Sequence, residues 1–150
     1  MAKHSIRLLK LHGSLNWQRD PAAGTVALRA DPYEIVNRAA GEIVPPVWNK
    51  AISSDKILSE LWKSARAEFA RGPVLVVIGY SVPETDQLSQ ALIRVSASSR
   101  TDSNKLKALI VVNPDRVARE RFVRLVKGAL QPSTAIVEMS YFNELAQVLG

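Results

Sequence analysis

The chain has 150 residues, 47% of them hydrophobic and 23% charged, with no cysteine and a formal net charge of +6. That length suits one domain burying roughly 70% of the surface its unfolded chain exposes, and the composition excludes a disordered chain, a disulfide framework and a thiolate metal site. The longest apolar run, Val74 to Ile78, is far too short to cross a bilayer and no signal-peptide pattern opens the sequence, so a cytoplasmic protein with no membrane partner is expected.

Ile6 to Leu11 alternates imperfectly and predicts a strand that delivers His12 and Gly13 at its C-terminal end. From Ser14 to Val47 the signals are irregular. "RDPAAG" predicts a turn, Thr25 to Leu28 a short strand, and the breaker-rich remainder a long connection or small insertion. Leu58, Leu61, Trp62, Ala65 and Phe69 then fall at helical spacing, with Ser54 and Asp55 as candidate caps and Gly72 and Pro73 as the stop. "VLVVIG", residues 74 to 79, is the continuous aliphatic run of a strand covered on both faces.

After "YSVPETD" a second helix is expected, with Leu88, Ala91, Leu92 and Val95 on one face and Pro83 near its first turn. "SASSRTDSN" reads as an exposed loop. Ala108 to Asn113 repeats the buried-strand pattern, and Pro114 with Asp115 opens a basic helix that closes near Gly128. Its apolar side is Ala118, Phe122, Leu125, Val126 and Ala129; Arg116, Arg119, Arg121, Arg124 and Lys127 spread over the rest as a solvated face rather than a nucleic-acid surface. Ser133 to Met139 predicts another strand and Tyr141 to Leu149 a closing helix. Buried strands alternating with amphipathic helices imply an α/β fold, a mostly parallel sheet with helices on both faces, in one domain over residues 1–150.

In such a sheet ligands bind beyond the carboxyl ends of the strands, where helix N-termini present free N–H groups. "HGS", "GYS", "NPD" and "SYF" fall at those four places. His12 has two readings: an imidazole bonded to a backbone carbonyl, or a base that exchanges protons near neutrality, with Gly13 leaving room for a turn or a ligand. Gly79, Tyr80 and Ser81 form a strand-to-helix turn in which Ser81 caps the helix, compatible with backbone N–H groups and a hydroxyl aimed at phosphate or ribose. Glu84, Thr85 and Asp86 place negative charge in a first helical turn. Asn113 either ends its strand or holds a ribose. Tyr141 and Phe142 either anchor the closing helix or stack on a base.

Taken in order, "KLHGSLNW", "IVPPVWNK", "VVIGYSVPETD" and "IVVNPD" resemble the C-terminal half of the sirtuin-like family, especially its bacterial branch associated with antiviral defence. The resemblance implies a Rossmann-like three-layer fold that binds NAD. It makes His12 the catalytic histidine, with Gly13 beside it; it puts Gly79, Tyr80 and Ser81 near the ribose and phosphates, Asn113 on the adenosine ribose and Tyr141 near the adenine. Tyr80 stands where the family usually has threonine.

Deacylating members usually insert a four-cysteine zinc module after the histidine. A chain without cysteine cannot form it, so the resemblance implies NAD hydrolysis at the nicotinamide–ribose bond ahead of NAD-dependent deacylation, which stays open as the alternative chemistry, and no metal. The family's glycine-rich loop and asparagine-aspartate motif precede the histidine and are absent here. The expectation is therefore the C-terminal part of a larger sheet, completed by an N-terminal segment or self-associating through an unpaired strand edge. The alternative is a non-catalytic module that binds a nucleotide or a protein partner.

Overall fold

The computed structural model describes residues 6–20, 22–28, 42–43 and 56–149. Contacts divide the chain into two units, Met1–Ala65 and Arg66–Gly150, the division falling inside a helix.

In the first unit β1 (Gly13–Ser14) pairs antiparallel with β4 (Glu42–Ile43), and β2 (Trp17–Asp20) with β3 (Thr25–Leu28). The expected turn between β2 and β3 forms because Asp20 Oδ1 accepts the N–H groups of Ala22 and Ala23 at 2.9 and 3.0 Å. Gly24 supplies the left-handed φ of +62° that brings the chain back.

The strand expected over Ile6 to Leu11 is not there. Residues 6–10 have no regular structure and pair with no strand among the described residues. Ile6 and Leu8 stand 96% and 75% exposed. Among the described residues no ladder holds this segment as a strand. Instead the Gly13 N–H reaches back to the Lys10 carbonyl at 3.1 Å, and a turn occupies the place of the expected strand end.

Helix α1 (Lys56–Arg71) buries Leu58 and Ala65 and ends where Gly72 and Pro73 predict. Ser54 and Asp55, its expected caps, lie outside the described residues.

The second unit is built on three parallel strands in the order β5 (Val74–Ile78), β6 (Ala108–Val112), β7 (Ala135–Met139). The crossovers contain α2 (Gln87–Ser98) and α3 (Arg116–Leu125), and α4 (Phe142–Leu149) closes the chain. Both crossovers step the same way across the sheet, so right-handed connections place both helices on one face. Accordingly Val77, Leu109 and Val111 pack with Ile93 and Ala97 of α2 and with Phe122 and Leu125 of α3. The alternate residues Val112 and Met139 pack under Leu145 of α4. The result is a parallel α/β sheet flanked by helices, a geometry compatible with a Rossmann-like fold.

Three expectations need correction. The buried residues of α2 are Ile93, Ser96 and Ala97, whereas Val95 is exposed and Leu88 and Leu92 are half-buried. Small residues set this contact because the 127–129 turn comes so close that a Cβ on Gly128 would meet the Ser98 Cα at 3.1 Å. Pro83 also lies outside this helix.

The β5 run is not covered on both faces either. Val74, Val76 and Ile78 are 50%, 41% and 52% exposed. The Gly79 N–H bonds Val112 O and the Pro73 carbonyl accepts the Lys107 N–H, both on the β6 side. By alternation the backbone groups of Val74, Val76 and Ile78 face the outer edge, where no strand pairs among the described residues.

Finally, the supposed exposed loop contains a buried arginine. Arg100 donates through Nη1 to Asn104 O at 2.7 Å and through Nη2 to Gly72 O at 2.8 Å and to Phe69 O. Its guanidinium staples the end of α1 to the start of β5, with burial working against its charge. Arg100→Met leaves those carbonyls without their donor and is expected to lower unfolding stability by about 1–3 kcal/mol, measured by urea denaturation.

Candidate functional site

The turn after β5 is held in an unusual shape by its own residues. Gly79 takes φ +71° while its N–H bonds Val112 O at 2.9 Å, closing the last rung of the sheet. Val82, a β-branched residue, sits at φ +54°, a region costing of order 1–3 kcal/mol, and is kept there by burial in the α2–α3 core.

Asp86, not Ser81, caps α2. Its Oδ1 accepts the Ser89 N–H at 3.2 Å, and its Oδ2 accepts the Tyr80 hydroxyl, also at 3.2 Å. The Tyr80 ring meets Phe122 edge-on, with centroids 6.2 Å apart. Burial first, and then the Asp86 carboxylate, raise the Tyr80 phenol well above its ordinary range.

With Tyr80 turned inward, the outer side of this turn is left to backbone and Ser81. Gly79 and Ser81 are exposed, and a Cβ on Gly79 would meet nothing within 4 Å. The N–H groups of Tyr80, Ser81 and Val82 find no acceptor among the described residues.

Asn113, directly after β6, is buried and ties three strand ends together. Nδ2 donates to Tyr80 O at 3.3 Å, Oδ1 accepts the Asp115 N–H at 2.9 Å, and the backbone N–H donates to Met139 O at 3.0 Å. Its carbonyl accepts Arg119 Nη1 at 2.6 Å, and Arg119 Nε bonds Glu138 Oε2 at 3.0 Å. Asp115 then caps α3 through the Val117 N–H. After β7, Tyr141 and Phe142 are 62% and 60% exposed, so the helix anchor is Leu145 rather than either ring.

Gly79, Tyr80, Ser81, Asn113 and Tyr141 therefore share the C-terminal rim of one sheet. Asp86 and Arg119, which hold that rim, were not readable as such: each sat in a stretch that looked like ordinary helix-surface charge. The rest of the basic helix face behaves as expected, with Arg116 and Arg124 both beside Glu120 at the surface.

His12 and Gly13 belong to the first unit, in the turn before β1. Gly13 takes φ +79°. The His12 imidazole packs edge-on to Trp62 of α1, with centroids 5.7 Å apart and planes at 85°. It is Trp62, through Nε1–H to Leu11 O at 2.9 Å, that bonds the adjacent carbonyl. His12 Nδ1 is buried without a hydrogen-bond partner. Beside this turn Lys10 Nζ donates to Ser14 Oγ at 2.7 Å, and Ser14 Oγ donates to Asn16 Oδ1 at 2.7 Å. The pattern of "KLHGSLN" held only a faint sign of this cluster, polar residues at alternate positions.

Among the described residues no group of three or more His, Cys, Asp or Glu side chains could hold a metal ion, and no helix is long and apolar enough to cross a membrane. Comparison with family models, with curated proteins and with solved structures returned no match.

The Tyr80 environment has a measurable signature. In an alkaline absorbance titration Tyr80 is expected to ionise above the ordinary tyrosine range, and Asp86→Asn to bring it back toward that range. Because the folded state holds this proton more tightly than the unfolded chain, its stabilisation is present below about pH 10 and is lost as pH rises beyond that.

Proposed function

We propose that this chain is the NAD-binding C-terminal portion of a sirtuin-like domain, one that hydrolyses the nicotinamide–ribose bond when complete and serves bacterial antiviral defence. The observation that carries the reading is the turn after β5. It offers the N–H groups of Tyr80, Ser81 and Val82 and the Ser81 hydroxyl at the C-terminal rim of a parallel sheet, just ahead of a helix. Dinucleotide phosphate and ribose oxygens seek such donors, and the open space beside Gly79 lets them approach.

The residues divide the work. Asn113 uses one Nδ2–H and one lone pair of Oδ1 on the neighbouring turns, so it sets their spacing, and the second N–H of the same nitrogen is the one left for the ribose that the resemblance assigns it. Tyr80 gives its hydroxyl to Asp86, and the contact that threonine makes in the family passes to backbone and Ser81. The exposed Tyr141 ring offers a face to adenine.

In the hydrolysis, the bond between ribose C1′ and nicotinamide breaks with its electron pair leaving on nicotinamide. Water then adds to C1′ and gives up a proton, yielding ADP-ribose and nicotinamide. The family resemblance makes His12 the base for that proton or for a ribose hydroxyl, a role whose loss costs about 100- to 10,000-fold in rate.

A second reading, a nucleotide- or protein-binding module without catalysis, is favoured by one specific observation. His12 Nδ1 lacks the acceptor that orients an imidazole base.

Calorimetric titration with NAD separates these readings from none at all. Ser81→Asp, which sets a negative charge on an exposed position, is expected to weaken NAD binding at least about tenfold, equivalent to 1.4 kcal/mol, with the far-ultraviolet circular dichroism unchanged. Equal affinity in the variant removes this turn from the site. Nicotinamide release, followed chromatographically, supports the hydrolase; NAD binding without release supports the module.

A further inference from the structure

His12 stands one residue ahead of the ladder that follows it. Residues 6–10 carry no regular structure, and pairing with β4 begins only at Gly13, so among the described residues no strand fixes the backbone that bears the imidazole. The ring adds no anchor through Nδ1, which is buried without a partner. Trp62 holds the turn from α1, by its bond to the Leu11 carbonyl and its edge-on contact with the imidazole. The chain on either side of these two residues is held by Lys10.

Lys10 closes the turn twice. Its carbonyl accepts the Gly13 N–H at 3.1 Å, and its side chain donates through Nζ to Ser14 Oγ at 2.7 Å and to Asn16 Oδ1 at 3.3 Å. Ser14 Oγ donates in turn to Asn16 Oδ1 at 2.7 Å, so each member of the triangle touches the other two. All three residues are half-buried, and Lys10 makes no ion pair with a carboxylate among the described residues. An ammonium drawn partly out of water onto two neutral oxygens gives up hydration that its charge-assisted hydrogen bonds must offset. Surface charge alone needs no such arrangement. We propose that Lys10 is a positioning residue: with Ser14 and Asn16 it clamps the turn that carries His12 and Gly13, and so sets where the imidazole stands.

On the NAD reading, which the kinetic consequence rests on, His12 takes a proton from water or from a ribose hydroxyl. That transfer needs heavy atoms within roughly 2.6–3.2 Å of each other, and a misplacement of about 1 Å costs on the order of 100-fold in rate. In this role Lys10 acts through the ring and not on the reacting atoms. Loosening the clamp is expected to lower kcat for nicotinamide release by about 10- to 100-fold and to leave KM within about twofold, because on the same reading the dinucleotide is held by the turn after β5.

Lys10→Met keeps an unbranched stem and removes the donors; Ser14→Thr and Ser14→Val share one shape, and only the first keeps the hydroxyl. His4 and His12 are the only histidines, so in a His4→Gln background the ring of His12, shifted by the Trp62 ring current, reports its own place in proton–carbon NMR of the intact chain. With the ring neutral, its signals are expected to move toward those of free histidine in Lys10→Met and Ser14→Val and to keep their parental positions in Ser14→Thr, the far-ultraviolet circular dichroism being unchanged. Parental signals in Lys10→Met, or equal displacement in both Ser14 variants, overturn the inference whether or not NAD is cleaved, and the Ser14 pair decides alone if Lys10→Met does not fold. Nicotinamide release gives the second readout: a fall in kcat at constant KM in Lys10→Met, with no further fall when it is added to His12→Ala, supports positioning through the ring. A rise in KM at constant kcat, or an undiminished loss on top of His12→Ala, overturns it. A parent chain that neither binds nor cleaves NAD counts against the NAD reading, and the ring signals then decide the clamp.

Discussion

The second unit depends on what Asn113 does at the end of β6. Its side chain and backbone together engage Tyr80 from the turn after β5, Asp115 at the start of α3, Met139 at the end of β7 and Arg119 from inside α3. A parallel sheet sets strand spacing through its ladder, but the loops beyond the ladder are free to diverge. A buried amide whose oxygen and nitrogen both find partners fixes them relative to one another, and in a low-dielectric setting such a network is costly to leave half-made. The position of the rim residues is thus a property of the sheet.

Rigidity at the rim comes with local strain. Val82 holds a backbone conformation that suits glycine, yet its side chain is needed in the core between α2 and α3. Tyr80 has its ring against Phe122 and its hydroxyl on Asp86, so the residue that interrupts the exposed turn is also the one that anchors it. The same inward turn leaves three successive backbone N–H groups without an acceptor among the described residues. Packing on one side of the loop and hydrogen-bonding capacity on the other have a common origin.

Much of this second unit was legible because its signals are periodic. The apolar residues of α3 recur at helical spacing, and Ala118, Phe122, Leu125, Val126 and Ala129 are all buried. The strands Val74–Ile78 and Ala108–Val112 announce themselves as aliphatic runs. Where periodicity gave way to size or to context, the sequence misled. In α2 the contact is made by serine and alanine, which a count of large apolar residues passes over. Arg100 looks like loop charge, and only the convergence of two carbonyls from distant positions, Phe69 and Gly72, with the nearby Asn104 carbonyl makes it a staple. Ile6 to Leu11 has the composition of a strand but no strand to pair with among the described residues. The candidate rim followed from one topological rule, that turns after parallel strands share an edge. The tie through Asn113 did not follow, because hydrogen bonds between turns leave no pattern in the chain.

The two margins of the three-stranded sheet are not alike. On β7 the exposed aliphatics Ile136 and Val137 stand next to Glu138, which pairs with Arg119, while the exposed side chains of β5 are all aliphatic; neither strand has an outer neighbour among the described residues. The β5 margin ends at the same turn that carries Gly79 and Ser81. A strand added along that margin would arrive as a neighbour of the turn and reshape the open space beside Gly79.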